Sequence, residues 1–597
     1  MEHTYNYYKK TIIAYTRRVD NLKRKIHLLG TIRLLLTIGL CFTLWIFKTS
    51  TWETIIGITI LFLSPFILFM VWHNKLSSQK NYAETLIELC RNELKGLDYD
   101  FSSFDGAIEE NTTNHSFCLD LDLFGNHSLF QSINRTVTHI GKRILANCLL
   151  NPLADQTTIL KRQAAIKELT TYTQLRQHFY VMGKMLPKDK NIPSATSIIK
   201  GTPTGLKHFK AWNFLIWIIP TIWLFIFVGY ISNLIPITVG SLFFGISFLI
   251  SYLNAKQIAS IHHSFDQTEQ LLRTYSNLIR CIERENFQAS ALKELQSQFF
   301  FHNQTASSII KELSRHIGSL NQRFSAIGLI LNIFILQDTR NAIRLEKWRI
   351  NYGKHAERWF EALAQFDAYC SLGSFAFNHP NYVYPQMADS YFQMEGKALG
   401  HPLLHRDICV TNDIHIGTNS QFLIITGANM AGKSTYLRTI GINYLLGCIG
   451  VPVCAESLTL YPAQLVTSLR TTDSLAGNES YFFAELKRLK IIIDRLQQGE
   501  KLFIILDEIL KGTNSIDKQK GSLALMKQLV GYQTYGIIAT HDLVLGELED
   551  AFPEQIKNYH FEADIQENEL TFSYKLREGV AHNMNACFLM KKMGITV

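Results

Sequence analysis

The sequence predicts a protein of two architectures: an all-helical region with two apolar helical hairpins, followed by an α/β domain on a largely parallel sheet. Two long apolar stretches lie within the first 255 residues, and helical periodicity fills most of the chain between and after them. From about residue 376, short apolar runs alternate with helix-like stretches. That rhythm is typical of strands joined by helical crossovers, which build a parallel sheet.

Composition limits the class of protein. The chain has 597 residues, of which 47% are hydrophobic and 18% charged, against roughly 25% charged in an average soluble chain. A disordered, collagen-like or low-complexity protein is therefore excluded. The net charge of +9 is compatible with nucleic acid or anionic lipid without selecting either. Ten cysteines without a CxxC pair predict reduced thiols rather than disulfides or zinc.

Residues 1–110 are interpreted as a basic amphipathic helix, a membrane hairpin and a helical linker. The apolar runs 34–47 and 54–72 are separated only by a short turn with Lys48 and Glu53, so the hairpin covers about 31–72. A cleaved signal peptide is not expected, because the first apolar run begins late and the second follows at once. The basic helix is expected to set topology or contact lipid headgroups, and a DNA-binding arm is the alternative.

The second hairpin is predicted at 206–256. Residues 211–255 contain no Asp, Glu, Lys or Arg, and they divide near Gly229–Asn233 into two spans of about 20 residues, the length that a bilayer core requires. Buried core helices are the alternative, but a soluble helix pair normally keeps a charged face. Basic residues concentrate before the first span, which predicts a multi-pass inner or plasma membrane protein with a cytoplasmic N-terminus and C-terminal half.

Two further helical regions complete the first part. Residues 111–205 are predicted to form a helical core, since Leu129, Ile133 and Ile140 follow helical spacing. Residues 257–375 are predicted to form long lever helices, with spacings such as Leu313 to Ile317. The α/β domain is assigned to 376–597.

The most specific motif is a glycine-rich loop. It follows the apolar run 422–426, precedes a helix-compatible stretch, and matches GxxxxGK[ST]. Its backbone N–H groups and the helix N-terminus suit a chain of phosphates. Lys433 can reach the β- and γ-phosphates, and the Ser434 hydroxyl can ligate Mg²⁺, so the loop predicts ATP with Mg²⁺. The predicted binding residues are Gly427, Ala428, Asn429, Met430, Ala431, Gly432, Lys433, Ser434 and Thr435.

Two later strands supply the other chemical groups. The apolar run 502–506 ends in Asp507 and Glu508, where Asp507 would hold Mg²⁺ through water and Glu508 would orient or deprotonate the attacking water. The run 536–540 ends at His541, which could sense the γ-phosphate. Acids or a histidine after one strand are common, and their position after the phosphate loop is what makes them specific.

These motifs together resemble the MutS-type DNA mismatch repair ATPases. The similarity lies in Thr426–Arg438, in Leu506–Asp517 with its Gly512, in Ala539-Thr540-His541, and in the signature-like segment Asp473–Glu485. Tyr574–Val580 near the C-terminus is also similar, and weaker similarity covers Gly400–Leu404 and about 120–190. The resemblance covers about 120–190 and 370–597, and its motifs are specific in the second range.

The resemblance implies a composite site in a homodimer, with Ser480 of one chain reaching the γ-phosphate bound by the other. This sequence holds an extra residue between Gly477 and Ser480. Mismatch-reading members of the family carry a large N-terminal domain with a Phe-x-Glu wedge. Before residue 120 this sequence has a basic helix and an apolar hairpin instead, and the second hairpin stands where a DNA-clamping insertion is expected. The departures argue against mismatch recognition, although the family keeps duplex DNA open as a partner.

Three functions follow as candidates. The first is a membrane-anchored ATPase in which ATP binding and hydrolysis close a dimer and drive a conformational change. The second is a tethered DNA-binding repair protein. The third is an ABC-like transporter, against which the hairpins offer few intramembrane polar groups for a substrate path.

Overall fold

The computed structural model divides the chain into two compact units. The first contains Met1–Thr136, Arg143–Thr173 and Tyr369–Val597, and the second contains Val137–Lys142 and Gln174–Ala368. The structure describes residues 2–112, 115–185, 209–265, 268–321, 325–389, 392–417, 420–428, 430–470, 481–511, 513–566 and 569–581.

The first unit begins with a hairpin of two very long helices, α1 (Glu2–Ile46) and α2 (Trp52–Leu97). Their polar halves pack together through Val19 against Ala83 and Leu22 against Leu76. Both helices are long and apolar enough to cross a membrane, and only 6% of the apolar window of α1 and 0% of that of α2 are buried. The predicted basic helix and first apolar span are one continuous helix.

A helical core follows the hairpin. It consists of α3 (Leu129–Ile133), α4 (His139–Leu150) and α5 (Gln156–Thr171). Short side chains start two of these helices: Ser128 accepts a hydrogen bond from the Gln131 amide, and Asp155 accepts one from the Thr158 amide. A 3₁₀ turn, Ile108–Glu110, precedes them. Helices are thus found where the sequence predicted the helical core.

A buried ion pair joins the base of the first hairpin to this core. Arg135 donates through Nε to Glu93 Oε1 at 2.6 Å and through a terminal nitrogen to Oε2 at 3.0 Å. Glu93 also accepts from the Asn378 side chain at 2.7 Å, and the Tyr8 hydroxyl donates to Asn378 Oδ1 at 2.8 Å. The arrangement satisfies both charges, which is the condition for burying them.

The second unit is mainly helical. It contains α6 (Thr173–Lys184), α7 (Phe209–Ile231), α8 (Ile237–Phe265), α9 (Thr268–Glu283), α10 (Ser290–Ser297), α11 (Ala306–Asn321), α12 (Ala326–Ile335) and most of α13 (Gln337–Asn378), with a small antiparallel pair of strands, β1 (Phe300–Phe301) and β2 (Gln304–Thr305).

The predicted long lever helices are more divided than expected. Of the helices that the structure describes between residues 268 and 378, only α13 is long, with 42 residues. The breaks have local causes: His302 adopts a positive φ between β1 and β2, Ser325 caps α12, and Leu336 adopts a left-handed conformation after it. Periodicity predicts which positions are apolar but does not reveal such breaks.

The residues of the second predicted hairpin form two helices, α7 and α8. Trp212–Ile231 is long and apolar enough to cross a membrane, and Ile237–Leu253 forms a shorter apolar helix. Large apolar side chains on both helices are exposed, including Phe225 at 71% and Leu242 at 69%. The uncharged stretch therefore forms an antiparallel pair that presents an apolar surface.

The C-terminal part of the first unit is an α/β domain. Its main sheet has the order β12-β11-β6-β10-β9-β8, parallel except for the edge pair β11–β12. The strands are β6 (Phe422–Gly427), β8 (Gln464–Ser468), β9 (Leu502–Asp507), β10 (Tyr535–Ala539), β11 (Ile556–Gln566) and β12 (Glu569–Glu578). The largely parallel sheet is as predicted.

The domain also contains a second sheet, of four strands. It contains β3 (Gln386–Met387), β4 (Met394–Leu399), β5 (Asn412–Ile416) and β7 (Ser457–Leu460), in the order β3-β7-β4-β5. The helices of this domain are α14 (Lys433–Cys448), α15 (Tyr481–Gln497), α16 (Ser515–Gly531) and α17 (Leu548–Ala551), with a 3₁₀ turn at Leu543–Glu547. Met526 and Leu529 of α16 pack with Ile504 in the core on one face of the main sheet.

Candidate functional site

The site lies at the carboxyl edge of three adjacent parallel strands. In the register, Ala539 of β10 pairs with Ile425 of β6 on one side and with Asp507 of β9 on the other. The residues that follow these strands therefore meet at one edge, as the ends of parallel strands do at ligand sites in such sheets. This topology brings the glycine-rich loop, the acidic pair and His541 together.

Glycine is required at two positions of the loop. Gly427 has φ +142°, and a Cβ there would collide with the carbonyl oxygen of Phe561. Gly432 has φ +104° and directly precedes α14, so it turns the loop into the helix. Between them, Met430 is 78% exposed. The loop thus leaves the first turn of α14 open to an anionic ligand.

Lys433 is almost buried, with 5% of its surface exposed, and its ammonium group is held by the loop itself. Nζ donates to the carbonyl oxygens of Gly427 at 2.7 Å and Ala428 at 2.9 Å. Burial lowers the pKa of Lys433 to about 8, against the opposing effect of nearby Glu508 and Asp507. The lysine is placed to exchange these carbonyl contacts for phosphate oxygens.

Ser434 and Asp507 form a pair suited to a cation. The Ser434 hydroxyl donates to Asp507 Oδ2 at 2.7 Å, while Oδ1 of the same carboxylate is buried without a hydrogen-bond partner in the described part of the chain. Burial raises the pKa of Asp507, and the hydrogen bond from Ser434 opposes that rise. A hydroxyl and a carboxylate with an unsatisfied oxygen fit Mg²⁺, which takes few protein ligands and completes its shell with phosphate and water.

Glu508 is enclosed by two basic side chains. Its Oε1 contacts Nε2 of His541, and its Oε2 lies 2.8 Å from Lys511 Nζ. The hydrogen bond with His541 is the main reason that the pKa of Glu508 is lowered to about 2, and the contact with Lys511 adds to it. The other ring nitrogen of His541 donates to the Gly427 carbonyl oxygen at 2.9 Å. His541 therefore links the acidic strand to the loop.

Most of the predicted residues lie together, although not all can be placed. Thr435 lines the same cavity as Lys433 and Ser434, and the Ala431 amide donates to the Ala428 carbonyl oxygen. Asn429, Gly512 and the segment 471–480, which includes Ser480, lie outside the described residues. The roles assigned to the placed residues stay predictions.

Sequence reasoning did not assign roles to Glu485 and Lys511. Glu485 of α15 is 3% exposed and accepts from the backbone amides of Leu510 at 2.5 Å and Lys511 at 3.0 Å. It thereby fixes the turn that carries Lys511 toward Glu508. The signal for Lys511 was its position three residues after Glu508, whereas nothing local in the sequence connects Glu485 with this turn.

A cavity of about 480 Å³ adjoins the loop and was also not foreseen. Apart from the loop and α14, its walls include the side of the segment 399–412 and Tyr574. Tyr574 also lies close to Gly432, where an added Cβ would come within 3.0 Å of its ring. Gly400–Leu404 and Tyr574–Val580, two of the segments that resemble the MutS-type ATPases, thus meet beside the loop.

Comparison with known families gives two matches. Residues 108–373 match the family model for MutS domain III, and residues 423–594 match that for MutS domain V. The described residues before the first match form the α1–α2 hairpin and a loop rather than a mismatch-reading domain.

Individual relatives agree with these matches. The chain is 24% identical over 510 residues to a DNA mismatch repair protein MutS of Thermotoga petrophila, covering 78% of this chain and 61% of the relative. It is 24% identical over 535 residues to MutS protein homolog 4 of Mus musculus, covering 78% and 54%. A 232-residue region is 33% identical to the DNA mismatch repair protein MSH3 of Coccidioides immitis, covering 37% and 20%. The chain thus spans about three fifths or less of the length of these relatives.

Proposed function

Because this chain belongs to the MutS family, we propose that it is a membrane-anchored ATPase that hydrolyses ATP with Mg²⁺ to drive a conformational change. One arrangement carries the proposal: Lys433, the Ser434–Asp507 pair and Glu508 meet at one edge of the parallel sheet, beside an open helix N-terminus. Phosphoryl transfer to water requires a cation near the phosphates, ligands for Mg²⁺ and a carboxylate that activates the water, and these residues supply all three.

Binding begins with Lys433 and the loop. The lysine exchanges the carbonyl oxygens of Gly427 and Ala428 for phosphate oxygens, and the amides of the first turn of α14 face the same phosphates. Ser434 and Asp507 would hold Mg²⁺, which when bound neutralises charge on the β- and γ-phosphates. Each of these groups is fixed before the ligand arrives, so little reorganisation is needed.

Glu508 orients the attacking water and accepts its proton. In the present arrangement its carboxylate is a weak base, because His541 and Lys511 lower its pKa to about 2. A nucleotide that draws His541 or Lys511 toward its γ-phosphate would release Glu508 and raise its basicity. The contacts of Glu508 with His541 and Lys511 therefore support a resting state in which Glu508 becomes an effective base only after the nucleotide binds.

A homodimer is part of the proposal. The family resemblance implies that Ser480 of one chain completes the site of another, so that closure depends on ATP. The test is the mass of the Glu508→Gln protein in detergent with and without ATP and Mg²⁺, measured by sedimentation. A monomer under both conditions at micromolar protein would overturn this part.

Membrane anchoring rests on the helices. In the part of the chain that the structure describes, three helices are long and apolar enough to cross a bilayer, and Ile237–Leu253 is a shorter apolar helix that follows Trp212–Ile231. We place the N-terminus and the α/β domain on the cytoplasmic side of an inner or plasma membrane, since basic residues precede the first span. Alkaline carbonate extraction of membranes tests the anchoring: release of the full chain into the supernatant would contradict it.

The direct test of the activity is phosphate release by the full chain in detergent or vesicles. We expect Lys433→Ala to lower the rate at least a hundredfold, because the lysine's charge is aimed at the transferred phosphoryl group. Exposed Lys490 of α15 offers a matched control, and Lys490→Ala should keep the wild-type rate. Equal rates for wild type and Lys433→Ala would disprove an intrinsic ATPase.

DNA binding is a second candidate, favoured by one observation: relatives that cover 78% of this chain are named for DNA mismatch repair. A DNA-binding form of this protein would lose affinity steeply as salt rises, since phosphate contacts release counterions. Matched and mismatched duplexes should be compared at low salt. Absence of binding to both would remove this candidate and leave the ATPase proposal intact.

A further inference from the structure

Helix α12 is a short apolar helix with a special position in the chain. It spans ten residues, Ala326–Ile335, and the surrounding stretch 324–337 contains no Asp, Glu, Lys or Arg. At 1.5 Å per residue it is about 15 Å long, half of the roughly 30 Å needed to cross a bilayer core. Its apolar spacing predicts a lever helix, whereas in the structure it packs against α7 and α8.

The helix packs against both helices of the second hairpin. Phe334 lies with its ring centroid 4.5 Å from that of Trp223 in α7, and Asn332 donates to the Ser251 hydroxyl in α8 at 2.6 Å. Trp223 stands eleven residues after Trp212, about 16 Å along the span. Ser251 lies in the half of the hairpin that is remote from its 232–236 turn, which is the predicted cytoplasmic half, and Trp223 lies near the middle of its span.

Three consecutive residues of α12 carry exposed apolar side chains. Leu329 is 58% exposed, Ile330 55% and Leu331 39%. Because α12 lies against α7 and α8, these residues extend the apolar surface that the hairpin presents. Exposed apolar area of this kind in a soluble protein marks an interaction surface, and here it adjoins helices with the dimensions of membrane spans.

The backbone around α12 is satisfied in the way that a lipid environment demands. The Ser325 hydroxyl accepts from the Gly328 amide at 3.0 Å, and the Leu336 amide donates to the Asn332 carbonyl oxygen at 3.1 Å. Pro220 removes the amide that would normally bond the Ile216 carbonyl oxygen, and Arg340 donates to that oxygen at 2.9 Å. These three backbone groups thus have partners, whereas the side-chain atoms Trp223 Nε1 and Arg340 Nε have none in the described part of the chain.

We propose that α12 is a half-length helix embedded in the cytoplasmic leaflet, with Leu329, Ile330 and Leu331 facing lipid acyl chains. The inference rests on the proposed membrane anchoring of α7 and α8 and adds a third element to it. A ten-residue helix fits one leaflet but not two. Since a single residue, Leu336, separates α12 from α13, the embedded helix fixes the start of α13 at the membrane surface.

The test is photocrosslinking in the full chain, reconstituted in phosphatidylcholine and phosphatidylglycerol vesicles that contain a phospholipid with an alkyne-labelled acyl chain. Photoreactive p-benzoylphenylalanine replaces one residue at a time: Ile330 in α12, Leu224 in α7 or Phe300 in β1. Leu224 is 60% exposed and reports the hairpin, while Phe300 is 51% exposed in the same unit. Its neighbour Phe301 contacts Tyr352, about 22 Å along α13 from Gln337.

We expect lipid labelling at Ile330 within about twofold of that at Leu224 and at least tenfold above that at Phe300. Labelling at Leu224 with only the Phe300 level at Ile330 would overturn the proposal for α12 and leave the hairpin anchoring standing. Background labelling at both Leu224 and Ile330 would overturn the anchoring and this inference together. A crosslink from Ile330 to a second protein chain would identify a protein interface instead. Elution of each variant as a single species in detergent confirms that it folds.

Discussion

Arg340 donates a 2.9 Å hydrogen bond to the carbonyl oxygen of Ile216, 124 residues earlier in the chain. The acceptor needs a side-chain donor because the residue one helical turn later is Pro220. The guanidinium also lies 5.5 Å from the centre of the Trp217 ring. Arg340 of α13 thus supplies the hydrogen bond that the Ile216 carbonyl oxygen of α7 lacks within its own helix.

This relationship predicts that Arg340→Ala destabilises the second unit by about 1–3 kcal/mol, the cost of a buried acceptor without a donor. Pro220→Ala restores the backbone amide at position 220, so Arg340→Ala should cost less in that background. The measurement is a double-mutant cycle on thermal unfolding in detergent. Arg344→Ala, at an exposed arginine one turn later, is the control. An equal cost in both backgrounds would mean that the hydrogen bond is not coupled to the proline.

Glu508→Gln should separate binding from hydrolysis. The amide keeps the size of the side chain but cannot accept the water's proton, so we expect at least a hundredfold lower turnover. Affinity for ATP should stay within about threefold, because Lys433, Ser434 and Asp507 are unchanged. Equilibrium binding of ATP and single-turnover hydrolysis measure the two effects. Loss of both would assign Glu508 to binding or folding rather than to the chemical step.

Nucleotide binding should weaken as the pH rises through 8. Burial lowers the pKa of Lys433 to about 8, so the ammonium is mostly charged at pH 7 and mostly neutral at pH 9 in the free protein. Phosphate favours the charged form, and binding above pH 8 must therefore take up a proton. The apparent dissociation constant should rise by up to tenfold per pH unit between 8 and 10.

Lys433→Arg is the control for this pH dependence, since a guanidinium stays charged throughout the range. Its affinity is expected to be lower than that of wild type but flat from pH 8 to 10. Fluorescent nucleotide titrations at constant ionic strength give both curves. A wild-type curve as flat as that of the arginine variant would contradict a titrating Lys433.

The buried pair of Glu93 and Arg135 predicts a large loss of stability. Glu93→Ala leaves Arg135 buried without its partner, which costs about 3–5 kcal/mol. Glu84, on the same helix, is the matched control: its salt bridge with Lys80 is partly exposed and 3.7 Å long, so Glu84→Ala should cost under about 1 kcal/mol. Denaturant unfolding in detergent compares them. Similar costs for the two changes would show that burial does not govern the Glu93 pair.

Local patterns in the sequence determined the phosphate loop, the acidic strand end and the two apolar hairpins. A phosphate loop is contiguous, and its glycines are dictated by backbone conformation, so GxxxxGK[ST] after an apolar run is sufficient to predict it. An uncharged run of about 20 residues likewise predicts an apolar helix of membrane-spanning length by itself, because a helix of that length matches the thickness of a bilayer core. The alternation of short apolar runs with helix-like stretches is also a local pattern, so it predicted the parallel sheet.

Tertiary structure alone decided which distant groups serve these local elements. Glu485 reaches the turn at Leu510 and Lys511, and Arg340 reaches Ile216, through packing between helices that no sequence spacing encodes. Helix α12 is the clearest case. Its apolar positions fit a lever helix or a lipid-facing one equally well, because periodicity records only that one face is apolar. Contact with Trp223 and Ser251 decides which surface it joins.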